Sequence, residues 1–179
     1  MRYIRIAVLV FRAVFRQKMG VLDESVLKLR VWPHEADVSN VSQSVYPLYM
    51  ELGRWDLALR VGLAKVMWRE RCIGFLGGQA IQFLKPLKRF QAFTLRSRII
   101  GWDEKWGLFE HRIESKGQLY AICHARIVFI GRDKKRVTPS NLSSIIGGPS
   151  DSPPIGNKAE LLASYFDFSV DSTEKPVGK

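Results

Sequence analysis

From Val45 to about Arg71 the apolar residues Leu48, Leu52, Trp55, Leu59 and Leu63 recur at three- and four-residue steps, the spacing of one helix face. Pro47 falls in the first turn, where a missing N–H does no harm, and Ser42 and Ser44 precede it as candidate caps. Gly62 predicts a break with a short helical piece after it. One long apolar helix flanked by extended segments needs a surface to bury against. A meandering antiparallel sheet curled around it supplies that surface. The expected class is α+β, with a sheet of five to six strands wrapped around one long central helix.

The extended segments can be read one by one. "ESVLKLRVWP", residues 24–33, alternates Val26, Lys28, Arg30 and Trp32 against Leu27, Leu29 and Val31, and Pro33 ends it. After the helix, "FLGGQAIQFLKP" sets Gly77 and Gly78 inside a strand, where glycine marks a bulge or a close backbone approach. "FTLRSRII" alternates cleanly. "KWGLFEHRIESKGQLYAICHARIVFIG" is two runs joined at Lys116-Gly117, a hairpin signal. Thr138 and Pro139 open a short helix. "GGPSDSPPIGN" reads as a linker, "KAELLASYFDF" as a last short helix, and the chain after Ser169 as a disordered tail.

Residues 1–19 form an extra N-terminal helix. Arg2, Arg5, Arg12 and Arg16 fall on one narrow arc of the wheel, and nearly everything else is apolar. The unbroken run Ile6 to Phe11 is far short of the roughly 20 residues that span a bilayer, and no small-residue cleavage site marks a secretory signal. Two readings stand: an interfacial helix with snorkelling arginines, or a helix packed on its own domain. The expected division is therefore 1–19 amphipathic helix, 20–148 main domain, and 149–179 linker, short helix and tail. The 179 residues suit one domain with its own core.

A formal charge of +11 favours an anionic partner: a phosphorylated ligand, an acidic membrane surface or nucleic acid. Nucleic acid rests on charge alone, without an RNP-type or helix-turn-helix signature, and is set aside. Cys72 and Cys123 are too far apart in sequence for a CxxC pair and form neither a disulfide framework nor a zinc motif. A reducing, cytoplasmic location follows, with membrane association through residues 1–19 as its variant. His34, Glu35 and Asp37 lack an i,i+4 histidine pair, so no metal site is assigned.

"RVWP", the acid-x-Asp element Glu35-Ala36-Asp37 and "YPLYMELGR" together resemble the start of hotdog-fold acyl-CoA thioesterases of the 4-hydroxybenzoyl-CoA thioesterase type. "GWDEKW", Gly101 to Trp106, and "GRD", Gly131 to Asp133, look like one branch of that superfamily. The resemblance covers roughly residues 20–160. It implies a hotdog fold, isologous dimers pairing sheets edge to edge, and acyl-CoA sites at the subunit interface, with no cofactor. Asp37 matches the family's catalytic aspartate and Glu35 the first acid. Tyr46 falls where the family's helix begins, and a backbone N–H there polarises the thioester carbonyl.

The chemistry of these residue types agrees. A carboxylate serves as general base or nucleophile, and free N–H groups at a helix start stabilise an oxyanion. Gln43, Ser44, Glu51, Gly77 and Gly78 are the expected substrate-binding positions. Glu51 either faces the partner subunit or pairs with Arg54 at i,i+3. Arg96 and Arg98 share a strand face that either meets CoA phosphates or is simply solvated. Asp103 and Glu104 read as a turn closed by ion pairs with Lys105. In one respect the sequence departs from the branch: Val41-Ser42-Gln43-Ser44 stands where a His-Met-Asn-Asn element is usual, one residue shorter. The alternative is therefore a catalytically weak or inactive hotdog protein that binds acyl-CoA or acyl chains at a membrane surface.

Overall fold

The computed structural model describes residues 6–9 and 16–155. Most of the helix assigned to 1–19, the helix assigned to 158–168 and the tail after it lie outside the described residues. The elements run β1 (Ser25–Arg30), α1 (Tyr46–Arg60), α2 (Leu63–Arg69), β2 (Ile73–Phe83), β3 (Ala92–Trp102), β4 (Gly107–Ser115), β5 (Gln118–Ile130), β6 (Arg136–Val137) and α3 (Pro139–Ile145). The expected break between α1 and α2 falls at Gly62, whose φ of 85° suits the residue without a Cβ. The Lys116-Gly117 turn joins β4 and β5 as expected.

The strands form one antiparallel sheet in the order β1-β3-β4-β5-β2. The short β6 pairs with β5 at Phe129 and Ile130. Strands β1 and β2 are thus the two edges, and α1 packs across the inner face. Along that face the registers align Ser97, His111, Cys123 and Ile81 in one row, and Ile99, Phe109, Ala125 and Gln79 in the next. On one side of the first row the core gathers Leu57, Trp102, Phe109, Ile127 and Phe129. On the other it gathers Tyr46, Tyr49, Met50, Leu95 and Ile113. Fully buried side chains such as Leu57 and Leu95 each stabilise the fold by about 1.5–3 kcal/mol.

The buried face of α1 differs from the expected one. Leu52 and Leu63 are buried as the spacing predicts, but Tyr46, Tyr49, Met50, Gly53 and Leu57 are buried too, whereas Leu48 and Trp55 are exposed. The helix is apolar over more than the arc one sheet covers, so periodicity alone picked a stripe that straddles two faces. Gly53 is the point of closest approach. A Cβ there would collide with Ser97 Oγ and lie 3.1 Å from Leu95 and 3.2 Å from His111 Nδ1.

The N-terminal end of the domain is stitched down before β1 begins. Arg16 donates from Nη1 to Asp56 Oδ1 at 2.7 Å and from Nη2 to the Val26 carbonyl at 2.9 Å. Asp56 is only 1% exposed, and it also accepts from Ser25 Oγ and faces Arg60 at 3.7 Å. Met19 N donates to the Arg60 carbonyl at 3.1 Å, and Arg60 Nε donates to the Gln17 carbonyl at 3.1 Å. At the other end, part of the expected linker packs on the sheet: Trp102 N donates to Ser152 Oγ at 2.9 Å.

Candidate active site

The connection from β1 to α1 is a small hairpin. Ala36 and Val41 form a β-bridge, and Asp37 N donates to the Asn40 carbonyl at 3.0 Å. Ser42 N then returns to the Glu35 carbonyl at 3.3 Å, and a single 3-10 turn, Gln43–Val45, leads into α1. The two acids at the base of this hairpin have opposite environments. Glu35 is buried, accepting at Oε2 from Trp32 N at 2.7 Å and from the Tyr49 hydroxyl at 3.0 Å. Its carboxylate caps a turn and ties the loop to α1. Asp37 is exposed in the single chain, and its backbone carbonyl accepts from Arg89 Nη2 at 3.0 Å.

The expected oxyanion donor requires a correction. The Tyr46 N–H is already spent on the Gln43 carbonyl, because the 3-10 turn starts the helical hydrogen bonding three residues earlier. Val45 N likewise bonds Ser42 O at 3.0 Å. The first amides of the turn, Gln43 and Ser44, have no partner among the described residues, as the opening of any helical segment requires. The Tyr46 side chain is buried, its ring 5.0 Å from Phe83, and its hydroxyl accepts from Leu87 N at 3.1 Å. Burial pushes that phenol's pKa up.

Between the helices and the β2 edge lies a mainly apolar cleft of about 790 Å³. Glu51, Arg54 and Trp55 line it from α1, Met67 and Trp68 from α2, and Gly74 and Leu76 from β2, over a floor of Phe109, Ile127 and Phe129. The cleft thus collects the apolar side of α1 that the sheet does not cover. Arg54 is the feature sequence reasoning missed. It enters from the wall toward Cys123 and His111, and its Nη1 is buried without a partner. Burial lowers its pKa and nearby Glu51 opposes that shift. Burial likewise drives the Cys123 thiol up to about 12, so Cys123 is no nucleophile near neutrality.

Gly77 and Gly78 sit at the bulge where the β2–β5 register shifts. A Cβ on Gly77 would meet the Trp106 ring, and that ring also stacks with Arg126 at 4.4 Å and Lys105 at 4.6 Å. The glycine therefore has a packing reason of its own. Asp103 closes its turn through Oδ1, accepting from the Lys105 and Trp106 amides at 2.7 and 2.6 Å, in place of the expected ion pairs with Lys105. Arg96 pairs with Glu24 and Glu114, and Arg98 with Glu110, so that face is a charge network. Alternation in "LFEHRIES" sets His111 in phase with Phe109 and Ile113, all three buried, a signal the sequence reading did not use; nothing local announced its partner Ser97 on β3.

Comparison with known proteins fits this geometry. A zebrafish (Danio rerio) relative, Protein THEM6, is 30% identical over 97 residues, 54% of this chain and 48% of that protein. A probable thioesterase of Saccharomyces cerevisiae, YBR096W, is 29% identical over 94 residues, 51% of this chain and 40% of that protein. The matches thus reach across less than half the length of either relative. Among solved structures, YbaW, a probable thioesterase from Escherichia coli, superposes with a TM-score of 0.63 at 18% identity, covering 68% of this chain and 94% of that one. A probable thioesterase from Bartonella henselae gives 0.58 at 19%, covering 65% and 98%. The wrapped helix and curled antiparallel sheet are the hotdog fold these structures share. Residues 31–146 match the thioesterase-like superfamily, and the chain belongs to it.

Proposed function

We propose that the chain hydrolyses an acyl-CoA or related acyl thioester to the free acid and thiol, as an isologous dimer joined along β2. The observation that carries this reading is the cleft: an acyl-sized apolar groove that opens along β2, an edge strand among the described residues. β2 is 11 residues long, and Ile73, Phe75, Leu76 and Phe83 on it are exposed. A long apolar edge is an aggregation hazard unless it is paired. Antiparallel pairing of two β2 strands about their centre, near Gly78, brings one protomer's α2 beside its partner's α1 start. The acyl chain then lies in the cleft of one subunit while the hairpin of Asp37 closes it from the other.

In this reading Asp37 takes a proton from water as that water attacks the thioester carbon. The amides of Gln43 and Ser44 receive the charge on the carbonyl oxygen. Collapse of the tetrahedral species expels the thiolate, which is protonated as it leaves. Glu35 holds the hairpin and does no chemistry; Glu51 and Arg54 set the polarity of the groove.

The alternative, binding without turnover, draws on the histidines. None of the three lines the cleft: His34 packs its ring on Trp32, His111 is buried and His124 faces Glu110. A panel of acyl-CoA esters, with thiol release followed for wild type and Asp37→Asn, decides between the two. Turnover that falls at least about 100-fold in the variant supports hydrolysis through Asp37. Binding of every ester without release of thiol supports the alternative.

A further inference from the structure

The connection between β2 and β3, "LKPLKRFQ", is built as a rigid strap beside Asp37. Leu87 anchors it, fully buried, with its N–H on the Tyr46 hydroxyl and its carbonyl accepting from Val41 N at 2.8 Å. Lys88 bridges to Asn40, and Arg89 reaches the catalytic hairpin twice, through its N–H to Ser39 O at 2.9 Å and its Nη2 to Asp37 O. The next residue, Phe90, has a φ of 63° and an exposed ring. A bulky residue in the left-handed region is strained by about 1–2 kcal/mol. The strain is held by Arg30, which donates to the Phe90 carbonyl at 2.9 Å. Lys88 and Arg89 are exposed, and among the described residues neither has a carboxylate partner. The strap itself contains no acid.

A merely solvated turn has no use for such construction. Two unneutralised cations and a flat ring are presented at a fixed place, next to the hairpin where a thioester would react. We infer that this strap is the docking site for the nucleotide end of the CoA thioester, with Lys88 and Arg89 on its phosphates and the Phe90 ring stacked on its adenine. The inference rests on the acyl-CoA reading above for its ligand. Cation–phosphate pairs are charge-assisted and add strength, and base–aromatic stacking adds to them whatever the base. The +11 charge of the chain assists capture from a distance.

Calorimetric titration of the full chain with coenzyme A and with pantetheine, which lacks the nucleotide, tests this. Wild type is expected to bind coenzyme A at least about tenfold more tightly. The Lys88→Glu/Arg89→Glu double variant is expected to lose that preference. Phe90→Gly relieves the backbone strain while removing the ring, so its melting temperature should hold or rise as its coenzyme A affinity falls. Equal affinity for the two ligands in wild type, or an unchanged preference in the double variant, overturns the inference. Phosphate groups also occur on lipids, so sedimentation with phosphatidylglycerol vesicles is the second arm. Vesicle binding lost in the double variant while coenzyme A titration stays intact would assign the cations to a headgroup and overturn the nucleotide site. Titration requires no turnover: intact discrimination without hydrolysis sinks the enzymatic reading alone, and hydrolysis without discrimination sinks this one alone.

Discussion

Ser97 Oγ lies 2.8 Å from Nδ1 of His111, in a pair with 0% exposure on both sides. It sits at the waist of the core, directly beneath the one glycine of α1. Gly53→Ala would gain up to about 1 kcal/mol of helix propensity. The new Cβ would collide with Ser97 Oγ, which can rotate away only by surrendering its bond to the imidazole. Overpacking of about 1–3 kcal/mol wins. Urea denaturation should show Gly53→Ala destabilised, and Gly53→Ala/Ser97→Ala less so than the single changes added together.

The same imidazole makes the fold sensitive to acid. Burial first, with the Arg54 cation adding, depresses His111 from 6.5 to about 3. Between those values the unfolded chain holds the extra proton, so its share of stability is complete above pH 6.5 and is lost as pH falls toward 3. A urea midpoint followed from pH 7 to pH 4 should decline more steeply in wild type than in His111→Asn. Parallel declines would deny the histidine this role.

Glu110 titrates in a lower window. Its hydrogen bond to His124, then the cation of Arg98, hold its pKa at about 2 instead of 4.5. That contribution is present above pH 4.5 and lost as pH falls toward 2. Arg98 is 47% exposed, so solvent screening reduces the gain to about 1 kcal/mol. Glu110→Gln should be less stable than wild type by that amount at pH 7, with the gap closing by pH 2.

The acids of the hairpin should separate cleanly. Glu35→Ala strands the Trp32 amide and the Tyr49 hydroxyl, at about 1–3 kcal/mol. Asp37→Ala removes an exposed side chain and should move stability by no more than about 0.5 kcal/mol. Thermal melts of the two variants give the comparison; equal destabilisation would mean Asp37 has a structural role.

Much of this architecture was legible in the residues. The 3.6 periodicity after Val45, the break at Gly62, and the alternating strands joined at Lys116-Gly117 all followed from local rules that the fold obeys. The strand order was not local: β1 pairs with β3 across the whole of α1 and β2, and β2 pairs with β5, whereas the expected meander sets β2 beside β3. Within the site, Glu35 and Asp37 look equivalent in sequence. Their different fates depend on Tyr49, which lies 14 positions beyond Glu35. The Tyr46 amide was misjudged because a 3-10 turn has no signature in "SQSV". Arg54 reads as an ordinary polar position on a helix until the row of Cys123 and His111 is laid beneath it.

The clamp at Arg16 also sets where the polypeptide tolerates a cut. A protease that clips ahead of this arginine leaves the acid at position 56 with its nearest cation in place. One that clips after it leaves that enclosed negative charge to Ser25 and the more distant Arg60. The trimmed form should therefore be the more easily digested of the two, and the stable limit fragment should begin at or before this residue.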